Sequence, residues 1–373
     1  MSKINTRSPY FIYVTDTSLT GVQLDLTIYT GSQATVPATT YSLYSTALNE
    51  ESTFEISELV DGYISDGFNG VYNSDNVWVR YVVTKEINDV PQASESPVVL
   101  SGFEGFGYFP EGSNPQLDSV VLQSNNVIVA SDKDAITLPL HVVSGETVQV
   151  KYYKDGEVIY MDEKTFIDDS SDLIQYSTNS IGDIDLFTSR VLLDGGTIEA
   201  KECVEASYDD YYENVDADRI DVCYGSTIDS YTVKEVEECK YETYKVVFKN
   251  KFGAWQDLWF FKRSDLSIKT ESSKYMSNVV TAGSYDTSQH QYKTFSKNGK
   301  ESLKLSSGFY PEEYNEVFKQ MLISEQVYIV YENQTLPLQV KDSSFVFKQR
   351  VNEKLINYTI NVEFAFDKIN NIR

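Results

Sequence analysis

Apolar and polar side chains alternate with period two along much of this chain, the pattern of strands with one buried face. Val22, Leu24, Leu26 and Ile28 alternate with Gln23, Asp25, Thr27 and Tyr29, and Phe54 and Ile56 repeat the spacing. Residues 77–83 (VWVRYVV) form a denser run, as expected of a strand covered on both faces. Between such runs lie turn residues. Asp155-Gly156 separates 148–153 from 158–160 and predicts a two-residue hairpin, because both positions tolerate positive φ. Asn298-Gly299 predicts another in the same way. Asp194-Gly195-Gly196 links 190–193 to 197–200, and a turn at 250–253 links 246–248 to 258–261.

Helical signals are few. Pro311 suits a first helical position, and Glu312 and Glu313 complement the helix dipole. Tyr314, Val317, Phe318, Met321 and Leu322 then make one apolar stripe. The pattern predicts a helix over 311–323 that packs the last domain. A shorter helix is expected near 58–64. The reading is an all-β, multi-domain chain of β-sandwich or β-barrel-like domains with one clear helix in the C-terminal domain. Residues 1–110, 111–205 and 206–373 are the expected domains, with 109–115 (FPEGSNP) as the first linker.

Length is consistent with that division: 373 residues allow two or three domains. Charge narrows the partners. The net charge of −25 disfavours duplex nucleic acid and anionic membrane surfaces. Residues 1–250 carry 15 basic and 42 acidic residues, a net of −27, whereas residues 251–373 carry 16 and 14, a net of +2. The acidic part is expected to face solvent or a basic partner, and the near-neutral part other subunits. No apolar signal region opens the chain and no apolar run is long enough to span a bilayer, so synthesis in the cytoplasm is expected.

Candidate chemistry is sparse. Cys203, Cys223 and Cys239 have no zinc-type spacing and read as buried or half-buried thiols. His141 and His290 are far apart in sequence and read as structural residues. Gly102-Phe103-Glu104-Gly105-Phe106-Gly107 lacks the strand–turn–helix context of a phosphate loop and reads as an aromatic turn. Asp168, Asp169 and Asp172 read as an acidic loop. Residues 208–221 (YDDYYENVDADRID) hold six carboxylates without the calcium-loop spacing. Interleaved aromatic and acidic side chains there suit a contact patch through Tyr208, Tyr211 and Tyr212. Trp255, and Ile356 and Tyr358 on a final strand able to augment a neighbouring sheet, complete the expected interface. No catalytic residue, cofactor or metal site is expected.

Residues 4–12 (INTRSPYFI) and the strand at 22–31 resemble the start of virion proteins from tailed bacteriophages of Bacteroidetes hosts, including the crAss-like group. Residues 248–261 (FKNKFGAWQDLWFF), the 310–323 segment, 326–332 and 355–360 (LINYTI) are similar to segments of the same proteins. The resemblance implies a structural tail component, a hub, ring or distal-tail protein without catalysis. It would sit in the virion tail in six or twelve copies around an axis, against other tail and portal-proximal proteins. Two rivals are weighed. A carbohydrate-binding or adhesin module would stack sugars on Trp78, Trp255 or Trp259, and a polysaccharide-degrading enzyme would need a carboxylate pair.

Overall fold

The computed structural model describes residues 3–30, 37–64, 67–70, 72, 77–116, 120–131, 136–141, 147–165, 182–183, 192–194, 197–199, 217–342, 346 and 355–369. The protein is mostly β, with several sheets and one helical stretch in the C-terminal region. It divides into two compact units. The first holds Met1–Glu237, Val247–Leu258 and Glu313–Glu325; the second holds Glu238–Val246, Trp259–Glu312 and Gln326–Arg373.

The first unit opens with β1 (Lys3–Asn5), β2 (Phe11–Thr15), β3 (Leu19–Thr30), β4 (Thr39–Thr46), β5 (Glu51–Glu55), helix α1 (Ser57–Asp61), β6 (Val77–Ile87), β7 (Val90–Pro91) and β8 (Val98–Phe103). The main sheet has the order β1-β8-β6-β3-β4, and β2 pairs with β5 in a separate ribbon. The period-two pattern has its structural counterpart here. Val22, Leu24, Leu26 and Ile28 are fully buried, sharing one core with Ile12, Val14 and Phe54 of the ribbon and Val60 of α1. The ribbon and helix therefore cover one face of the sheet. Trp78 lies among Tyr29 and Val99, as expected for the dense run of β6.

The same unit continues with β9 (Val127–Ser131), β10 (Pro139–Leu140), β11 (Thr147–Lys154), β12 (Glu157–Thr165), β13 (Gly182–Asp183), β14 (Leu192–Asp194), β15 (Thr197–Glu199), β16 (Arg219–Tyr224) and β17 (Thr227–Val236). Five of these form a sheet in the order β12-β11-β16-β17-β9. Asp155 and Gly156 both take positive φ, so the β11–β12 hairpin turns where the sequence places it. β16 and β17 lie beyond residue 205, so the second β-rich region runs on to Val236. The expected linker is tied down. Asn114 donates from Nδ2 to the Asn5 and Ser8 carbonyls, and Gln116 exchanges two hydrogen bonds with the Lys3 backbone.

Two loops of this unit meet backbone to backbone. The Phe106 N–H donates to the Lys251 carbonyl at 2.8 Å. Gly253 has a φ of +76°, and a Cβ there would lie 2.8 Å from the Glu104 nitrogen. Glycine is required by both conformation and space. The approach buries the Lys249–Glu104 ion pair, whose side chains are 2% and 9% exposed. Asn250 Nδ2 donates to the Leu122 carbonyl and to Gln256 Oε1 beside it. His141 is also buried, edge-on to Phe103, and burial near Lys3 holds its pKa well below the usual imidazole value. Its Nε2 has no hydrogen-bond partner among the described residues.

Later strands are β18 (Tyr244–Lys249), β19 (Trp255–Phe260), β20 (Lys262–Met276), β21 (Val280–Thr281), β22 (Ser284–Tyr285), β23 (Tyr292–Pro311), then helix α2 (Asn315–Ile323), β24 (Val327–Tyr331), β25 (Gln334–Val340) and β26 (Leu355–Phe364). The sheet order is β19-β18-β24-β25-β26-β23-β20. In the second unit, Leu303, Leu305, Ile360 and Val362 are buried on one face of the β23–β26 pair.

Three expectations are corrected. Asn298-Gly299 is not a turn but lies inside β23, with Gly299 opposite Thr270. The reversal comes at Ala282-Gly283, both at positive φ, because the longer β20–β23 ladder carries the chain past Asn298. Pro311 does not begin a helix. It ends β23 opposite Leu355, a short 3-10 turn follows at Glu312–Tyr314, and α2 starts at Asn315. Nor does α2 pack the last domain, for its residues belong to the first unit. The Val129 N–H donates to Tyr314 Oη at 2.6 Å, Tyr108 donates to Glu316 at 2.6 Å, and the Lys251 N–H donates to Gln320 Oε1. Tyr314, Val317, Phe318 and Met321 are buried, so the apolar stripe does face a core.

Candidate assembly surface

β20 and β23 are paired from Lys262 to Met276, but β26 reaches only Ser302 on β23. Beyond it, residues 367–369 bond to Asn298, Gly299 and Glu301, and outward of Asn298 the ladder is a free two-stranded ribbon among the described residues. At about 3.3 Å per residue its free part, residues 292–297, spans roughly 20 Å. The ribbon is built on the core face of its sheet. Leu266 pairs with Leu303, which pairs with buried Val362, so the apolar face runs out of the core and into solvent at Leu266 and Ile268. Nearer the tip, a bulge between Ser273 and Lys274 brings Tyr275 and Phe295 together, with ring centroids 6.4 Å apart. Tyr292 is 62% exposed and Phe295 57% exposed. Met276, Val280 and Tyr285 extend the exposed apolar surface. Single exposed apolar residues are ordinary, but a clustered set on one projection marks an interaction surface. Residues 266–300 carry five lysines against Glu271 and Asp286, a net of +3 in a chain of −25. At the root, Glu363 accepts from Lys341, whose charge holds the carboxyl below its usual pKa.

A second surface lies in the first unit. The β2–β5 ribbon buries Ile12, Val14 and Phe54 and turns Phe11, Tyr13 and Thr15 outward, opposite Glu55, Thr53 and Glu51. Phe11 is 51% and Tyr13 58% exposed. Residues 50–61 contain five carboxylates and no basic residue. Glu51 accepts a hydrogen bond from the Tyr13 hydroxyl, which pushes the phenol pKa up. Nearby, a cleft of about 570 Å³ is lined by Thr6, Arg7, Glu55, Glu58, Asp61 and Glu325 among others. Its carboxylates hold the local chain: Asp61 accepts from Thr6, Glu55 from the Ser57 N–H, and Glu325 pairs with Arg7 at 2.7 Å.

The expected interface residues fall elsewhere. Trp255 is buried, packed on Phe68 at 5.0 Å and under the Lys249 ammonium at 5.1 Å. Ile356 and Tyr358 are buried on β26, which pairs with β23 from Leu355 to Glu363 and with β25 at Val362–Phe364. Tyr208, Tyr211 and Tyr212 lie outside the described residues, as do Asp168, Asp169, Asp172 and Cys203. Cys223 is half-buried as expected, whereas Cys239 is exposed. Trp78 and Trp259 are buried like Trp255, so no tryptophan is presented to stack a sugar. Among the described residues no group of His, Cys, Asp or Glu is placed to hold a metal ion, and no helix is long and apolar enough to cross a membrane. No protein-family model matches the chain, and no curated protein matches it.

Proposed function

We propose that this protein is a structural component of a bacteriophage tail, a hub or ring subunit that acts by assembling in several copies. One observation carries the assembly reading: the β20–β23 ribbon leaves its sheet with its apolar face uncovered. A free two-stranded ribbon is marginal by itself, and exposed strand edges invite pairing, so the form makes physical sense where a partner completes it. The sequence resemblance supplies the tail as the place. Buried tryptophans and partnered cleft carboxylates support assembly over sugar binding or hydrolysis. Mass photometry across a concentration series, with negative-stain microscopy, tests the assembly. Proteomics and antibody labelling of purified particles test the location. Closed oligomers and labelling at the tail are expected; a strict monomer that is missing from particles refutes the proposal.

A further inference from the structure

We infer that the ribbon of one copy docks on the outer face of the β2–β5 ribbon of a second copy, so that assembly is head-to-tail. The inference rests on the assembly reading above and specifies its interface. The two surfaces complement each other. The projecting ribbon presents Tyr275 and Phe295 with Lys293 on one face, and Tyr292 with Lys297 on the other by register, while the receiving face presents Phe11 and Tyr13 with Glu51 and Glu55. Both surfaces are aromatic, both are exposed, and their charges are opposite. A symmetric ribbon-on-ribbon contact would instead set lysine against lysine, which opposite-sign pairing avoids. Two different patches on one chain make a heterologous contact, and such a contact closes into a ring when its rotation closes.

Complementary charge reversal tests this. One variant carries Lys293→Glu and Lys297→Glu and retains the receiving face. Another carries Glu51→Lys and Thr53→Lys, both on the receiving face, and retains the ribbon. Each alone is expected to lose self-association by at least tenfold with an unchanged melting curve. Mixed, they are expected to co-assemble with the two variants alternating, since the unchanged ribbon fits the unchanged face and the reversed ribbon fits the reversed face. A chain carrying all four changes is expected to recover assembly. If wild-type protein assembles but the Glu51/Thr53 variant assembles equally well, head-to-tail docking is overturned while the assembly reading stands. Phe11→Ser with Tyr13→Ser probes the same face without charge, and unchanged assembly in that variant overturns the inference as well. If wild-type protein is a monomer at every concentration and is missing from particles, both fall.

Discussion

Removing one partner of the Lys249–Glu104 pair should be among the most damaging single changes in the first unit. The two side chains are almost fully buried, and the surrounding loops approach backbone to backbone. At an effective dielectric near 20 the Coulomb attraction at contact is about 4–6 kcal/mol, comparable to the cost of taking both charges from water. The pair itself is then close to neutral, but either charge left alone is not. Glu104→Gln or Lys249→Met should each destabilise by about 3–5 kcal/mol. For a unit of this size that lowers the midpoint by roughly 6–20 °C. Replacing both with methionine should recover most of the loss, because no charge is stranded. Thermal and urea unfolding read the effect through the fluorescence of buried Trp78 and Trp255. Single variants within about 1 kcal/mol of wild type, or a double variant that costs the full sum, would refute the reasoning.

Three further outcomes follow from the same geometry. Phe295→Ser should weaken self-association at least tenfold while leaving the melting midpoint within about 0.5 kcal/mol of wild type, as surface changes do; matched analytical ultracentrifugation and calorimetry check this. Gly253→Ala should destabilise by about 2 kcal/mol or more, since the positive φ alone costs about 1–2 kcal/mol and the new Cβ meets the Glu104 backbone; a neutral effect in urea unfolding would contradict it. Acid should loosen the second unit. Lys341 lowers the Glu363 pKa and Lys262 lowers that of Glu238. Their contribution is present above the unfolded carboxylate value near 4.3 and is lost as pH falls through the lower folded values. Hydrogen exchange at β23–β26 should therefore rise below about pH 4, and Lys341→Met should flatten that dependence.

Period-two alternation was a reliable guide wherever one face of a strand meets a core. It marks β3, β5 and β11, because burial of alternate side chains is a local property. Asp155-Gly156 was legible for a similar reason, since its positive φ values are set within the turn itself. Asn298-Gly299 carries the same local signal, yet thirteen backbone pairs between β20 and β23 outweigh it. The ribbon was hard to see in advance. With both faces in solvent its strands need no apolar alternation, and Ser, Thr and Lys fill them. Its readable trace was the cluster Tyr275, Met276, Tyr292 and Phe295 in a segment otherwise polar.

Trp255, Ile356 and Tyr358 show where sequence reasoning about surfaces stops. An apolar side chain announces that it will be buried, but not whether a core or a partner will bury it. Long-range pairing decided the matter for Ile356 and Tyr358, by laying β26 along β23 with both side chains buried. The α2 stripe is a parallel case. The sequence alone determined that Val317, Phe318 and Met321 share one buried face, through helical spacing. Only the tertiary structure decided that this face belongs to the first unit, through long-range bonds such as that from Val129 to Tyr314. The physical reason is the same throughout: periodicity is set by neighbours along the chain, whereas the partner across a core or an edge is set by residues far away in sequence.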